Sequence, residues 1–232
     1  EVELVNSTDD INLLAIQGPK SLETLQKLTD TDLSQIEYYH CKIGKIANYE
    51  MIISRTGYTG ELGFEIYFRG DEKVAKEVWD SIFDAGAEFG IEPIGLGARD
   101  TLRLEKGYCL YGNDIDQTTN PLEAGLGWIT KLNKENFIGK DALVKIKAEG
   151  IKRKLVGMIS NEKGFIPRHH YLIYSENDEE IGEVTSGNIS PVLNKPIAMG
   201  YLKIEYAQPD NNVFIEMRGK RFAAKIVKFP FV

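Results

Sequence analysis

The chain has 232 residues, 42% of them apolar, and carries 28 Lys and Arg against 35 Asp and Glu for a net charge of −7 at pH 7. This length permits a buried core and one or two domains, given about 150 residues per domain. The acidity argues against nucleic acid or an anionic membrane as a general partner, and no run of about 18 apolar residues offers a membrane span. Cys41 and Cys109 are too few and too far apart in sequence for a disulfide framework or a zinc site, so a reducing compartment is expected.

In chain order, Val2-Glu3-Leu4-Val5 has the composition of a strand, and Ile11 to Gln17 reads as a short apolar strand. Gly18-Pro19 breaks it, with Pro19 placed for the first turn of a helix running to Leu28. Tyr38 to Phe68 is rich in tyrosine, isoleucine and phenylalanine and is cut by Gly44, Gly57, Gly60 and Gly63, the pattern of three antiparallel strands. Asp71 can cap a helix reaching about Phe89. Its Val74, Val78, Trp79, Ile82 and Phe83 fall on one stripe at spacings of three and four, as in a helix laid on a sheet.

From Pro93 the pattern predicts a helix over Ala98 to Glu105, a glycine-broken loop through Asn120, and a helix over Lys140 to Glu149. Beyond Gly150 six short segments alternate: Lys154 to Ile159, Tyr171 to Tyr174, Ile181 to Thr185, Ala198 to Tyr206, Val213 to Met217 and Phe222 to Val227. The fold class expected is α+β, an antiparallel sheet with packed helices, followed by a C-terminal six-stranded β-barrel or jelly-roll-like domain. The boundary is placed near Gly150, giving regions 1–150 and 151–232.

Two clusters carry the chemistry. The first is Arg55-Thr56-Gly57-Tyr58-Thr59-Gly60-Glu61-Leu62-Gly63-Phe64-Glu65. The second is Gly97-Ala98-Arg99-Asp100-Thr101-Leu102-Arg103-Leu104-Glu105, continued by Cys109-Leu110-Tyr111-Gly112-Asn113-Asp114. With Leu13 to Pro19, Pro121 to Trp128 and Val184 to Pro191, they make a sequence that resembles the aminomethyltransferase family, the T-protein of the glycine cleavage system, over nearly the whole chain. Glu1 is not an initiator methionine. The resemblance implies that family members carry a further N-terminal segment holding the catalytic aspartate, and that longer relatives continue past Val232. The expectation is a chain that folds, lacks that aspartate, and is inactive or weak alone.

Read from the residues alone, Glu65 alternates with Phe64 and Ile66 on a half-buried strand and faces water. The resemblance assigns it to a pterin, whose ring N–H and exocyclic amine are parallel donors to one carboxylate. Arg99 offers a planar fork of donors to a pterin carbonyl or a folate carboxylate, the alternative being an ion pair with Asp100 or Glu65. Arg103 is expected to be structural. Tyr58 and Trp128 are candidate aromatic walls, since stacking adds about 0.5–1.5 kcal/mol beyond area burial, and Tyr111 and Asn113 are candidates for the same cavity. Asp114 and Asp116 have no assigned role.

His40, His169 and His170 lack a supporting constellation, and His169 and His170 would face opposite sides of a strand, so no metal site is expected. Gly95/Gly97 and Gly125/Gly127 do not complete a dinucleotide fingerprint. The resemblance implies transfer of a one-carbon unit from the aminomethyl-lipoyl arm of H-protein to tetrahydrofolate as co-substrate, giving 5,10-methylenetetrahydrofolate and ammonia, with no metal or flavin. A cytoplasmic location is favoured over a mitochondrial matrix. Two alternatives share the fold. One is the folate-binding domain of a sarcosine or dimethylglycine dehydrogenase, whose Arg-Leu-Glu-Lys-Gly-Tyr stretch resembles Arg103 to Tyr108. The other is a non-enzymatic folate-binding iron–sulfur assembly protein, whose cysteine motif Cys109 misses by one position.

Overall fold

The computed structural model describes residues 2–232 and divides into two compact units, one ending at Arg99 and the other running from Asp100 to Val232. Residues 2–7 form no strand, in contrast to the sequence expectation, and Val2 and Leu4 are 95% exposed. Their side chains have no apolar surface to cover, so strand-like composition alone orders nothing.

The first unit is a four-stranded antiparallel sheet in the order β1-β4-β3-β2, from β1 (Ile11–Gln17), β2 (Cys41–Ile46), β3 (Tyr49–Ser54) and β4 (Gly63–Arg69). Ala47 and Asn48 join β2 to β3 with φ of 49° and 71°, the primed two-residue turn whose twist suits a hairpin. Helix α1 (Ser21–Gln26), helix α2 (Glu72–Gly86) and the turn residues Leu33 and Ile36 supply the rest of the core. Asp71 caps α2 by accepting from the Val74 N–H at 3.0 Å, as expected.

Of the stripe on α2, Val78 and Ile82 pack into one core with Ile16, Met51, Ile53, Phe64, Ile66 and Phe68. Full burial of each is worth about 1.5–3 kcal/mol. Trp79, at the stripe's edge, stays 42% exposed against Phe83. The opposite face of the sheet carries the rows Leu13–Tyr67–Ile52–Ile43 and Ala15–Glu65–Ser54–Cys41. Leu13, Ile43 and Ile52 are exposed there, so Glu65 stands on the open side of the sheet.

Helix α3 (Leu96–Glu105) crosses the division between units, and helix α4 (Lys140–Glu149) matches its predicted span. A closed antiparallel barrel follows in the order β10-β5-β8-β7-β6-β9. Its strands are β5 (Arg153–Ile159), β6 (Leu172–Tyr174), β7 (Glu180–Ser190), β8 (Lys195–Lys203), β9 (Asn212–Met217) and β10 (Lys220–Val227). The six expected strands are all present, and closure removes the open edges a jelly roll would keep. β7 runs on to Ser190 because its far end is paired with β8 throughout.

Val156, Met158, Ile173, Val184, Leu202 and Ile215 belong to one buried core. Leu104, Leu155, Met199, Tyr201 and Phe231 form another. β5 is therefore buried on both faces. A Cβ at Gly157 would fall 2.8 Å from Phe229 and 3.1 Å from Phe231, so only glycine lets the C-terminal aromatics lie this close. Among the described residues, no helix is long and apolar enough to cross a membrane.

Candidate functional site

The glycine-rich loop of the first unit is built around Gln17. Its amide nitrogen donates to the carbonyls of Thr56 at 3.2 Å and Phe64 at 3.3 Å, and its amide oxygen accepts from Thr59 Oγ1 at 3.1 Å. A Cβ at Gly57 or Gly63 would fall 1.9 or 2.4 Å from that side chain, which explains both glycines as contacts of Gln17. The Gly18 N–H donates to the Leu62 carbonyl at 2.7 Å and fastens the loop's other end. The sequence shows Gln17 only as the last residue of a strand. Nothing in its spacing announces that it pins the loop carrying Tyr58.

Arg99 and Tyr58 are brought together, the guanidinium carbon lying 4.8 Å from the ring centroid. Arg99 is exposed, and of the two carboxylates offered as alternative partners Asp100 is paired with Arg103, while Glu65 is in no salt bridge among the described residues. An exposed cation–π contact is worth about 0.5–1 kcal/mol, and hydrogen bonds to a charged group about 1.5–3 kcal/mol. An anionic or carbonyl ligand can therefore draw the guanidinium off the ring at a net gain.

Glu65 is half-buried on β4. Its carboxylate accepts from the hydroxyl of Thr56 and, at 3.4 Å, from that of Tyr67. Burial, and then the Glu65 charge, push the Tyr67 phenol above its ordinary pKa, so Tyr67 is a donor to Glu65 through the neutral range. Among the described residues Glu65 forms no salt bridge. A carboxylate oriented by two hydroxyls and left without a cation is suited to accept a pair of N–H donors.

In the second unit, Tyr111 is 66% and Trp128 69% exposed, so each can lie flat against a planar ring. Trp128 follows a segment tied to the barrel: Glu123 accepts both Nε and Nη2 of Arg153 at 3.1 Å, and the Glu123 carbonyl accepts from Leu155 N–H at 2.8 Å. The hydrogen bonding of Arg153 to the Glu123 carboxylate raises the Arg153 pKa against the opposing effect of burial.

Much of the second cluster turns out to be a buried scaffold. Arg103 is 1% exposed. It donates to Asp100 Oδ1 at 2.6 and 2.8 Å, Asp114 Oδ2 at 2.6 Å, Ser186 Oγ at 2.8 Å and the Tyr108 carbonyl at 3.0 Å. Burial opposes its charge, and Asp114 and Asp100 more than offset this and raise its pKa. Asp114, wholly buried, also accepts from Thr185 and Ser186, and Glu105 from Ser190. The Thr185-Ser186-Gly187-Asn188 motif thus joins α3 to β7 within this unit.

His169 and His170 overturn the expectation that they face opposite ways. They lie in a turn before β6, and His170 has φ of 71°. Their rings stack at 3.8 Å with planes 17° apart.

Residues 1–134 match the family model described as the GCVT N-terminal domain, and residues 153–232 that of the glycine cleavage T-protein C-terminal barrel domain. The chain is 54% identical over 231 residues to an aminomethyltransferase of Bacteroides fragilis and 50% identical over 230 to one of Halothermothrix orenii. Each match takes in 99% of this chain and 63% of the relative, so the chain spans about 63% of the length of these curated relatives. The crystal structure of glycine cleavage system aminomethyltransferase T from Bartonella henselae superposes with a TM-score of 0.85 at 32% identity, covering 96% of this chain and 60% of that one.

Proposed function

The chain belongs to the glycine cleavage T-protein family, and from that membership we propose that it serves aminomethyl transfer: it binds tetrahydrofolate as co-substrate and receives a one-carbon unit from the lipoyl arm of H-protein. The products are 5,10-methylenetetrahydrofolate, ammonia and the dihydrolipoyl carrier. The observation that supports this most directly is Glu65, a half-buried carboxylate held by two hydroxyl donors and without a cationic partner among the described residues. In this reading it accepts the paired N–H groups of the pterin. Arg99 leaves the Tyr58 ring to meet a carbonyl or carboxylate of the folate, and the ring stays behind as a stacking surface. Tyr111 and Trp128 are further proposed stacking contacts.

The transfer expels ammonia as an iminium-like centre forms and is attacked by a folate nitrogen, so positioning and charge stabilisation dominate. We assign folate binding to residues 1–150 and treat 151–232 as the barrel domain of a cytoplasmic protein. Calorimetric titration with 5-formyltetrahydrofolate tests the reading. One-site binding that weakens at least tenfold in both Glu65→Ala and Arg99→Ala supports it; binding indifferent to both substitutions, or no binding, overturns it.

A further inference from the structure

We propose that His169, His170 and Glu183, on the outward face of the barrel, form a binding site for a divalent transition-metal ion of the zinc type. Consecutive residues of an extended strand point to opposite sides. The left-handed backbone at His170 breaks that rule and lays its ring against that of His169. Glu183 reaches the same place from β7, its Oε1 2.7 Å from His170 Nδ1, and one donor atom from each of the three residues lies within 4.8 Å of the other two.

The backbone beneath is fixed. The His170 N–H donates to the Val184 carbonyl at 2.9 Å and the Val184 N–H to the Tyr171 carbonyl at 2.8 Å, while Leu172 is paired with Glu183. Donor atoms bound to one tetrahedral ion at about 2.1 Å stand roughly 3.4 Å apart. His170 Nδ1 and Glu183 Oε1, now hydrogen-bonded at 2.7 Å, have to part slightly and the stacked rings have to turn to face one ion, and the side chains of His170 and Glu183, 75% and 45% exposed, have the torsional freedom to do so. Arg168, the adjacent cation, is turned to the Gly187 carbonyl at 3.4 Å.

Two imidazole nitrogens and one carboxylate oxygen suit zinc, nickel or cobalt. They do not suit magnesium or calcium, which prefer sets of oxygen ligands. The remaining coordination positions fall to water. The site draws on no residue assigned above to folate.

The test is calorimetric titration of the chain with zinc chloride at pH 7.5, beside His169→Ala, His170→Asn and Glu183→Gln. Asparagine is chosen at 170 because it tolerates the left-handed backbone. A Cys41→Ser control accounts for the exposed thiol next to His40. The proposal expects one zinc ion per chain, at least tenfold weaker binding in all three variants, no change in the control, and no response to magnesium. Absence of zinc binding, wild-type affinity in any of the three variants, or loss of binding in the Cys41→Ser control overturns it.

Discussion

Replacing Arg103 by methionine tests the buried scaffold of the second unit. Methionine fills a similar length and removes the five hydrogen bonds that Arg103 makes to Asp100, Asp114, Ser186 and the Tyr108 carbonyl. Asp114 has no solvent access, so its charge is left buried without a cation. Breaking a buried pair in this way costs about 3–5 kcal/mol. Arg103→Lys keeps the charge but gathers its donors on one nitrogen where a planar fork served several separate acceptors, and a loss of roughly 2 kcal/mol or more is expected. Asp114→Leu strands donors on Thr185, Ser186 and the Leu110 N–H and is also destabilising. The double variant removes both charges together, so it loses less than the sum of the singles by about 2 kcal/mol. Urea unfolding followed by circular dichroism measures each step of this cycle. A cost below about 1 kcal/mol for Arg103→Met, or additivity within about 0.5 kcal/mol, would show that Arg103 and Asp114 are not a coupled buried pair.

Glu65→Gln keeps the shape and removes the charge, and is expected to weaken 5-formyltetrahydrofolate binding about 10- to 100-fold, or roughly 1.5–3 kcal/mol, with little change in unfolding midpoint. Gln17→Ala leaves the carbonyls of Thr56 and Phe64 without their amide donor, at a cost of about 1–3 kcal/mol in stability. Faster amide exchange across residues 56–64 checks it. Gly182→Ala places a Cβ 2.0 Å from the backbone carbonyl oxygen of Tyr201, which a rotamer change cannot relieve, so a loss of about 3 kcal/mol is expected in thermal or urea unfolding. Burial, then the nearby Asp114 charge, push the Cys109 thiol up to about 11. Its thiolate therefore forms only as pH climbs toward that value. In a Cys41→Ser background, alkylation at pH 8 should run more than about 100-fold slower than at a free thiol near pKa 8.5. A plateau below pH 9 would contradict this.

Much of the fold is legible in the sequence because its signals are local. β1 and α4 occupy their predicted spans, Asp71 caps α2 where expected, and six alternating segments become six barrel strands. The family motifs likewise single out Glu65, Arg99 and Tyr58, and the structure holds Arg99 against Tyr58. Period, capping chemistry and glycine spacing are properties of neighbouring residues, so the amino-acid order alone determines them.

Other features depend on partners far along the chain. The strand-like composition of Val2 to Val5 orders nothing because it finds no surface to cover. Gly57 and Gly63 answer to Gln17, some 40 residues earlier, and Arg103 answers to Asp114 and Ser186, the latter 83 residues away. The stacking of His169 on His170 rests on one backbone dihedral in a turn that no periodicity specifies. A buried charge needs its whole set of partners, and a left-handed residue needs the hydrogen bonds that hold it, so only the tertiary structure could decide these points.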